Sequence, residues 1–176
     1  MKHKFFSARK LVFLSFLIAL SIIFTRVLSI KVTSLTGVER LRIGLGGFPI
    51  IFSGIAFGPI CGAIVGILSD LQGYFINPVG PYIPYFTITS GLTGFIPGFL
   101  IFFVLKEKKD FNTLLFAIGS GQLCTTVLLV PFIHNQLFGI PVKPLILASL
   151  IVQILMVLIY VFLCKRLLRF KIFDNI

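Results

Sequence analysis

Three charged side chains and a cluster of aromatics carry the chemistry that this sequence offers: Arg26, Arg42, Asp70, Tyr74, Tyr82, Tyr85 and Phe86. A guanidinium presents its donors in a fork that matches a carboxylate. Arg26 closes the first long apolar run, with fifteen uncharged residues between it and Lys10. At about 1.5 Å per helical residue it would lie about 24 Å into a hydrocarbon core about 30 Å thick. A charge at the centre of such a core costs about 2.5–3.5 kcal/mol on insertion scales, so Arg26 demands a partner or a water-filled pocket, unless it snorkels its head to the interface.

Asp70 is the acidic residue that stands away from loops and termini, with Tyr74 one helical turn further on the same face and Asn77 at the helix end. Two readings are open for it: a structural pair with Arg26 at similar depth, or contact with a ligand. The connection that follows, Asn77-Pro78-Val79-Gly80-Pro81-Tyr82-Ile83-Pro84-Tyr85-Phe86, sets three prolines among three aromatics. Prolines fix the backbone, so the rings are held as flat faces at little entropic cost; an interfacial aromatic belt would account for Tyr82 or Tyr85 alone. The earlier connection, about 32–46, contains Glu39-Arg40-Leu41-Arg42-Ile43-Gly44 and is likewise no bare linker.

The elements that must position these groups are membrane spans. With 57% hydrophobic and 12% charged residues among 176, and a mean hydropathy of +1.09, the chain has too little polar surface to cover a soluble globule. Its formal charge of +11 does not indicate nucleic acid, because the basic residues sit in short clusters at the ends of apolar runs, where orientation signals belong. The first run resembles a secretory signal, with Ala19-Leu20-Ser21 as a weak cleavage site; an uncleaved first span is expected, since apolar character continues to Ile30. Cys61, Cys124 and Cys164 are isolated in apolar stretches and read as small core residues.

The stretch 47–76 is long for one span and short for two, and Gly58-Pro59 breaks it near the centre. Reading that break as a turn gives an all-α, polytopic membrane domain over 1–176, with six spans at about 11–31, 43–57, 59–76, 85–105, 111–138 and 144–164. Both termini then share a side, together with Lys106, Lys108 and Lys109. Eleven of the sixteen basic residues collect there, so the positive-inside rule makes that side cytoplasmic. Five spans would put two of those clusters outside. Small residues recur at intervals of four in Gly54, Gly58, Gly62 and Gly66, and again in Gly94 and Gly98, a pattern for close helix packing. Ser15 and Ala19 form a milder pair on the first span.

Several classes are excluded. The sequence has no Gly-x-x-x-x-Gly-Lys-Ser/Thr segment for ATP, no His-Glu-x-x-His, and no paired carboxylates or serine-histidine-acid set for catalysis. Its five acidic residues are scattered, which argues against a metal site and against an enzyme acting on lipid or isoprenoid phosphates. His134, beside Asn135 and Gln136, reads as an interfacial residue rather than a base. The chain lacks the helix number and internal repeat of most ion-coupled carriers. A small channel or structural subunit remains as the non-binding alternative.

Arg42-Ile43-Gly44-Leu45-Gly46-Gly47-Phe48-Pro49-Ile50, then Phe57-Gly58-Pro59-Ile60-Cys61-Gly62-Ala63, Asp70-Leu71 and Gly80-Pro81-Tyr82-Ile83-Pro84 together resemble the substrate-binding S component of energy-coupling factor (ECF) vitamin transporters, most closely the folate-specific type. The likeness extends over roughly 11–168 and is densest over 39–100. It implies a non-enzymatic, multi-pass protein of the bacterial cell membrane that captures a vitamin at the outer face. It also implies partners: a transmembrane coupling subunit and two ATPases that use the ATP, with no cofactor in this chain. For folate, the resemblance and the ligand's chemistry together suggest Arg26 and Arg42, with Arg40 in reserve, for the carboxylates, and Tyr74, Tyr82, Tyr85 and Phe86 for the rings; the ligand's chemistry, and not the resemblance, suggests Asp70 with Asn77 for the pterin amine and ring nitrogen. Ser15 and Ala19 fall where the family carries Ala-x-x-x-Ala for the coupling subunit, serine being a departure. A second departure is the last span, where the folate type carries a basic residue and Leu145 to Cys164 offers only Ser149 and Gln153. That leaves riboflavin, thiamine or a similar flat vitamin as the alternative ligand.

Overall fold

The computed structural model describes residues 8–27, 29–33, 39–76, 78, 81–105 and 110–169, with 30–33 and 39–43 described for their backbone alone. Six helices run through it: α1 Ala8–Arg26, α2 Gly47–Phe57, α3 Pro59–Ile76, α4 Pro84–Val104, α5 Phe111–Phe138 and α6 Val142–Leu168. All but α2 are long and apolar enough to cross a bilayer. Side chains such as Val12, Phe16, Phe103, Phe116, Ile151 and Phe162 are exposed on the outside of the bundle, as befits helices solvated by lipid.

Gly58 divides α2 from α3. Its φ of 101° lies where a side chain is strained, and Pro59 starts the next helix with the fixed φ that a first turn needs. The remaining glycines of the series pack helices together. A Cβ on Gly62 would meet the carbonyl oxygen of Gly94 at 2.5 Å, and one on Gly98 would meet that of Gly54 at 2.6 Å. Backbone therefore lies on backbone where α2, α3 and α4 meet. Gly58 has nothing within 4 Å of its Cβ position, so within the repeated pattern it serves the turn and not the contact.

The bundle has two distinct ends. Lys10 Nζ donates to the carbonyl of Phe57 at 3.2 Å, and Lys165 Nζ lies 5.6 Å from the centre of the Phe111 ring. The first turn of α1 therefore meets the last of α2, and the last turn of α6 meets the first of α5. At the opposite end an antiparallel ribbon, β1 Ile30–Thr33 and β2 Glu39–Ile43, pairs Ile30 with Ile43 and Lys31 with Arg42. The sequence reading began a span at residue 43. The helix begins instead at Gly47, because Glu39–Ile43 forms a strand whose last four residues alternate polar and apolar.

The short α2 sets the shape of the interior. Its eleven residues cover about 17 Å, little more than half of a hydrocarbon core. Phe48, Ile51, Phe52 and Ile55 are buried at the centre of the termini half, packed with Leu14, Val65, Ile101, Leu114 and Val161. Cys61 and Cys164 are buried in this region, whereas Cys124 faces outward. A cavity of about 390 Å³ is lined in part by the first turn of α2.

Proline shapes two of the long helices. Pro97 lies inside α4, which passes into a π-helical turn at Leu100–Val104. In α5 the stretch Leu123–Leu129 is π-helical and Pro131 follows it. A proline lacks the N–H that would bond back one turn, and π-helical turns are i→i+5 departures from the regular helix.

Candidate functional site

The cavity floor is the turn Gly44–Gly47 and the first turn of α2, with Ile50 below. Two hydrogen bonds hold that turn: Ser21 Oγ donates to Gly46 O at 2.9 Å, and Tyr160 Oη donates to Gly44 O at 2.9 Å. Glycine is required at 46, since a Cβ there would collide with the Thr25 hydroxyl. Gln122 on α5 and Gln153 on α6 line the same space. Gln122 is 3% exposed, and its Oε1 accepts from Thr126 at 2.7 Å.

Towards the ribbon end the walls become charged and aromatic. Arg26, from the last turn of α1, lines the cavity beside α3. On α3, Asp70 accepts a hydrogen bond from Thr87 Oγ1 of α4 at 2.7 Å. Thr87 is 2.9 Å from the hydroxyl of Tyr82. Thr87 has one hydroxyl proton, and it is committed to the carboxylate, so Tyr82 is the donor in the second bond. Thr87 is thus a hydrogen-bond partner of Asp70. The Tyr82 ring is 5.2 Å from that of Tyr74.

A second aromatic group faces the cavity from α4 and α5. The Phe86 and His134 ring centres are 5.1 Å apart, and Phe138 lies 5.9 Å beyond His134. His134 Nδ1 is 2.8 Å from the carbonyl of Val130. A carbonyl can only accept, so Nδ1 bears the proton. The sequence reading set His134 at the interface; it is 5% exposed and lines the cavity. The π-helical turn of α5 rotates the following residues relative to a regular helix, which a count along the sequence does not register.

The structure brings Arg26, Asp70, Tyr74, Tyr82 and Phe86 to one cavity. Tyr85 is not there. It is 58% exposed, because Phe86 faces inward and the preceding helical residue points about 100° away. Asn77 lies outside the described residues, as do the side chains of Arg40 and Arg42, whose backbone forms part of β2. Ser15 and Ala19 are exposed on α1, with the Ser15 hydroxyl donating to Leu11 O at 2.9 Å. Residues that the sequence reading left out of its site include Gln122, Thr126, His134, Ser149 and Gln153 on α5 and α6, and hydroxyl residues such as Ser21, Ser69 and Ser90 on α1, α3 and α4.

A six-helix membrane bundle with a cavity of ligand size, polar at its floor and charged and aromatic near the ribbon, defines a multi-pass small-molecule-binding protein. A family model described as ECF-type riboflavin transporter, S component, matches residues 5–169, and this chain belongs to the S components of ECF transporters. Membership sets it among bacterial membrane transport proteins and not among enzymes. The folate transporter FolT of Clostridium novyi (strain NT) is 34% identical over 146 residues, which is 83% of this chain and 80% of that relative. Among solved structures, that of FolT bound with folic acid matches with a TM-score of 0.75 at 22% identity, covering 92% of this chain and 97% of that one. The S component of a bacterial ECF transporter matches with a TM-score of 0.65 at 19% identity, covering 94% and 98%. These two likenesses establish the six-helix fold.

Proposed function

We propose that this chain is a folate-specific S component: it captures the vitamin in the cavity at the ribbon end, which faces outside. Release inward takes place with a transmembrane coupling subunit and two ATPase subunits, which consume the ATP. Both termini and the 106–109 loop are then cytoplasmic, as the positive-inside rule requires of their basic clusters.

The observation that supports folate best is the presence, around one cavity, of a guanidinium, a carboxylate and two aromatic walls. Folate needs each of these. Its glutamate tail carries two carboxylates, for which Arg26 offers a bidentate partner and Arg42, on the ribbon, a second. Its pterin and benzoyl rings fit between Tyr74 and Tyr82 on one side and Phe86 and His134 on the other. Asp70 accepts from the pterin amine and ring N–H, with Asn77 as its helper. Tyr85, exposed at the outer rim, is left out of this contact set. The name of the relative at 34% identity agrees with folate. Riboflavin, which the matched family model names, has no carboxylate for a guanidinium fork to bind.

Ser15 and Ala19, small and exposed on α1, are the proposed contact for the coupling subunit. The test of the ligand is calorimetry on the chain purified alone in detergent. Tight, stoichiometric binding of folate without ATP is expected, and no binding of folate would sink the reading.

A further inference from the structure

Tyr82, Thr87 and Asp70 form a hydrogen-bond relay whose direction is fixed. Thr87 Oγ1 donates to Asp70 Oδ2, so Tyr82 must donate to Thr87. Every proton in the relay points toward the carboxylate. Thr87 is 6% exposed and sits between the two, so the Asp70 carboxylate meets the cavity as an acceptor that neighbouring donors already hold in place. Carboxylate oxygens have lone pairs to spare after this bond, and Asp70 lines the cavity where they are accessible.

From this geometry we infer that the relay is the specificity-determining element of the site, with Thr87 and Tyr82 as positioning residues that act through Asp70. The inference deepens the folate reading and rests on it. An acceptor-only edge selects a heterocycle with two adjacent N–H donors, as the 2-amino group and N3–H of a pterin provide. It rejects an imide edge, in which one N–H is flanked by two carbonyl oxygens, as in lumazine or a flavin. There an oxygen would face the carboxylate, and two acceptors buried together leave both unpaired, which is where hydrogen-bonding sites gain their largest discrimination. Tyr82 also ties the relay to the segment between α3 and α4, because its ring packs on Tyr74. Filling the Asp70 edge therefore bears on the aromatic wall as well.

The direction of the relay fixes what an amide would do at the same position. In Asp70→Asn, Thr87 would keep donating to an oxygen, so the amide nitrogen would turn to the cavity as a donor. The preference should then move toward carbonyl-bearing edges. The experiment compares pterin with lumazine, which share a ring skeleton and differ at position 2, by calorimetry on the full chain in detergent; folate is measured in parallel. The unaltered protein should prefer pterin by at least about tenfold. Thr87→Val should cut that preference several-fold, Thr87→Ser should restore it, and Asp70→Asn should shift it toward lumazine. An equal affinity for the two ring systems, or a preference unchanged in both Asp70→Asn and Thr87→Val, would overturn the inference. Failure to bind folate with the pterin preference intact would instead count against the folate reading alone.

Discussion

The guanidinium of Arg26 lies against the bare backbone of Gly73: a Cβ on that glycine would stand 3.1 Å from Nε and 3.2 Å from Nη2. A charge carried at the end of one helix is accommodated because the neighbouring helix has no side chain at the point of contact. If Arg26 serves the glutamate tail, Arg26→Ala should weaken folate by about 1.5–3 kcal/mol, the worth of hydrogen bonds to a charged group. It should leave pterin, which lacks the tail, nearly unchanged. Gly73→Ala should move folate in the same direction by a smaller amount, since the guanidinium must shift by tenths of an ångström. Calorimetry with the two ligands checks both; equal losses for folate and pterin would make Arg26 a structural residue.

The helices α2, α3 and α4 meet through backbone, so adding a single methyl at the contact is costly. Gly62→Ala would place its Cβ 2.5 Å from Gly94 O and 2.7 Å from Gly54 Cα, neither of which can rotate away. A loss of about 1–3 kcal/mol is expected from overpacking. Gly58→Ala meets no neighbour but must adopt a φ of 101°, which costs about 1–3 kcal/mol of backbone strain. Thermal unfolding in detergent measures both, and a Gly62→Ala protein as stable as its parent would contradict the packing account.

Among the cavity residues most hydroxyls are already satisfied within the chain: Thr25, Thr89 and Thr93 donate to carbonyls one turn back, and Ser90 donates across to Gly66 O. Ser69 Oγ and Gln153 Oε1 are buried without a hydrogen-bond partner. Replacing an unsatisfied buried polar group by an apolar one of similar shape is neutral or stabilising. Ser69→Ala and Gln153→Leu should therefore leave the melting temperature of the unliganded protein unchanged or higher. A fall of several degrees in either would show that the group has a structural partner.

How far the site could be read from sequence depends on the kind of signal each residue gives. Arg26 and Asp70 stand out because a charge inside an apolar run has few explanations, and Tyr82 because prolines bracket it; all three line the cavity. Tyr85 and Phe86 are adjacent and of similar type, so only the helical phase set by Pro84 separates the one that enters the cavity from the one that faces outward. The α5 contribution was hidden more deeply. Gln122 and Thr126 are neutral, and the π-helical stretch between Gln122 and Val130 shifts the face on which His134 falls. Regular periodicity cannot anticipate that shift, because i→i+5 bonding departs from the 3.6-residue repeat on which such a count rests. The ribbon, by contrast, was present as alternation in Ile30–Thr33 and in the last four residues of Glu39–Ile43, overshadowed by the charges it carries.

Binding and transport should separate at the surface of α1. Ser15 and Ala19 are exposed there while Leu14, Leu17 and Ile18 of the same helix are buried in the core. The Ser15 hydroxyl is satisfied by Leu11 O, so the strip presents small, nonpolar relief to the membrane, a shape that admits another helix closely. Ala19 is exposed, and surface substitutions of that kind change stability by less than about 0.5 kcal/mol. Ala19→Phe should therefore bind folate with unaltered affinity in detergent. In liposomes containing the coupling subunit and the ATPases, the same protein should lose most ATP-driven uptake, because the added ring would hold the coupling helix away. Normal uptake by Ala19→Phe would remove this face from consideration as the contact, and uptake by the parent chain without any partner subunit would overturn the division of labour between capture and ATP-driven release.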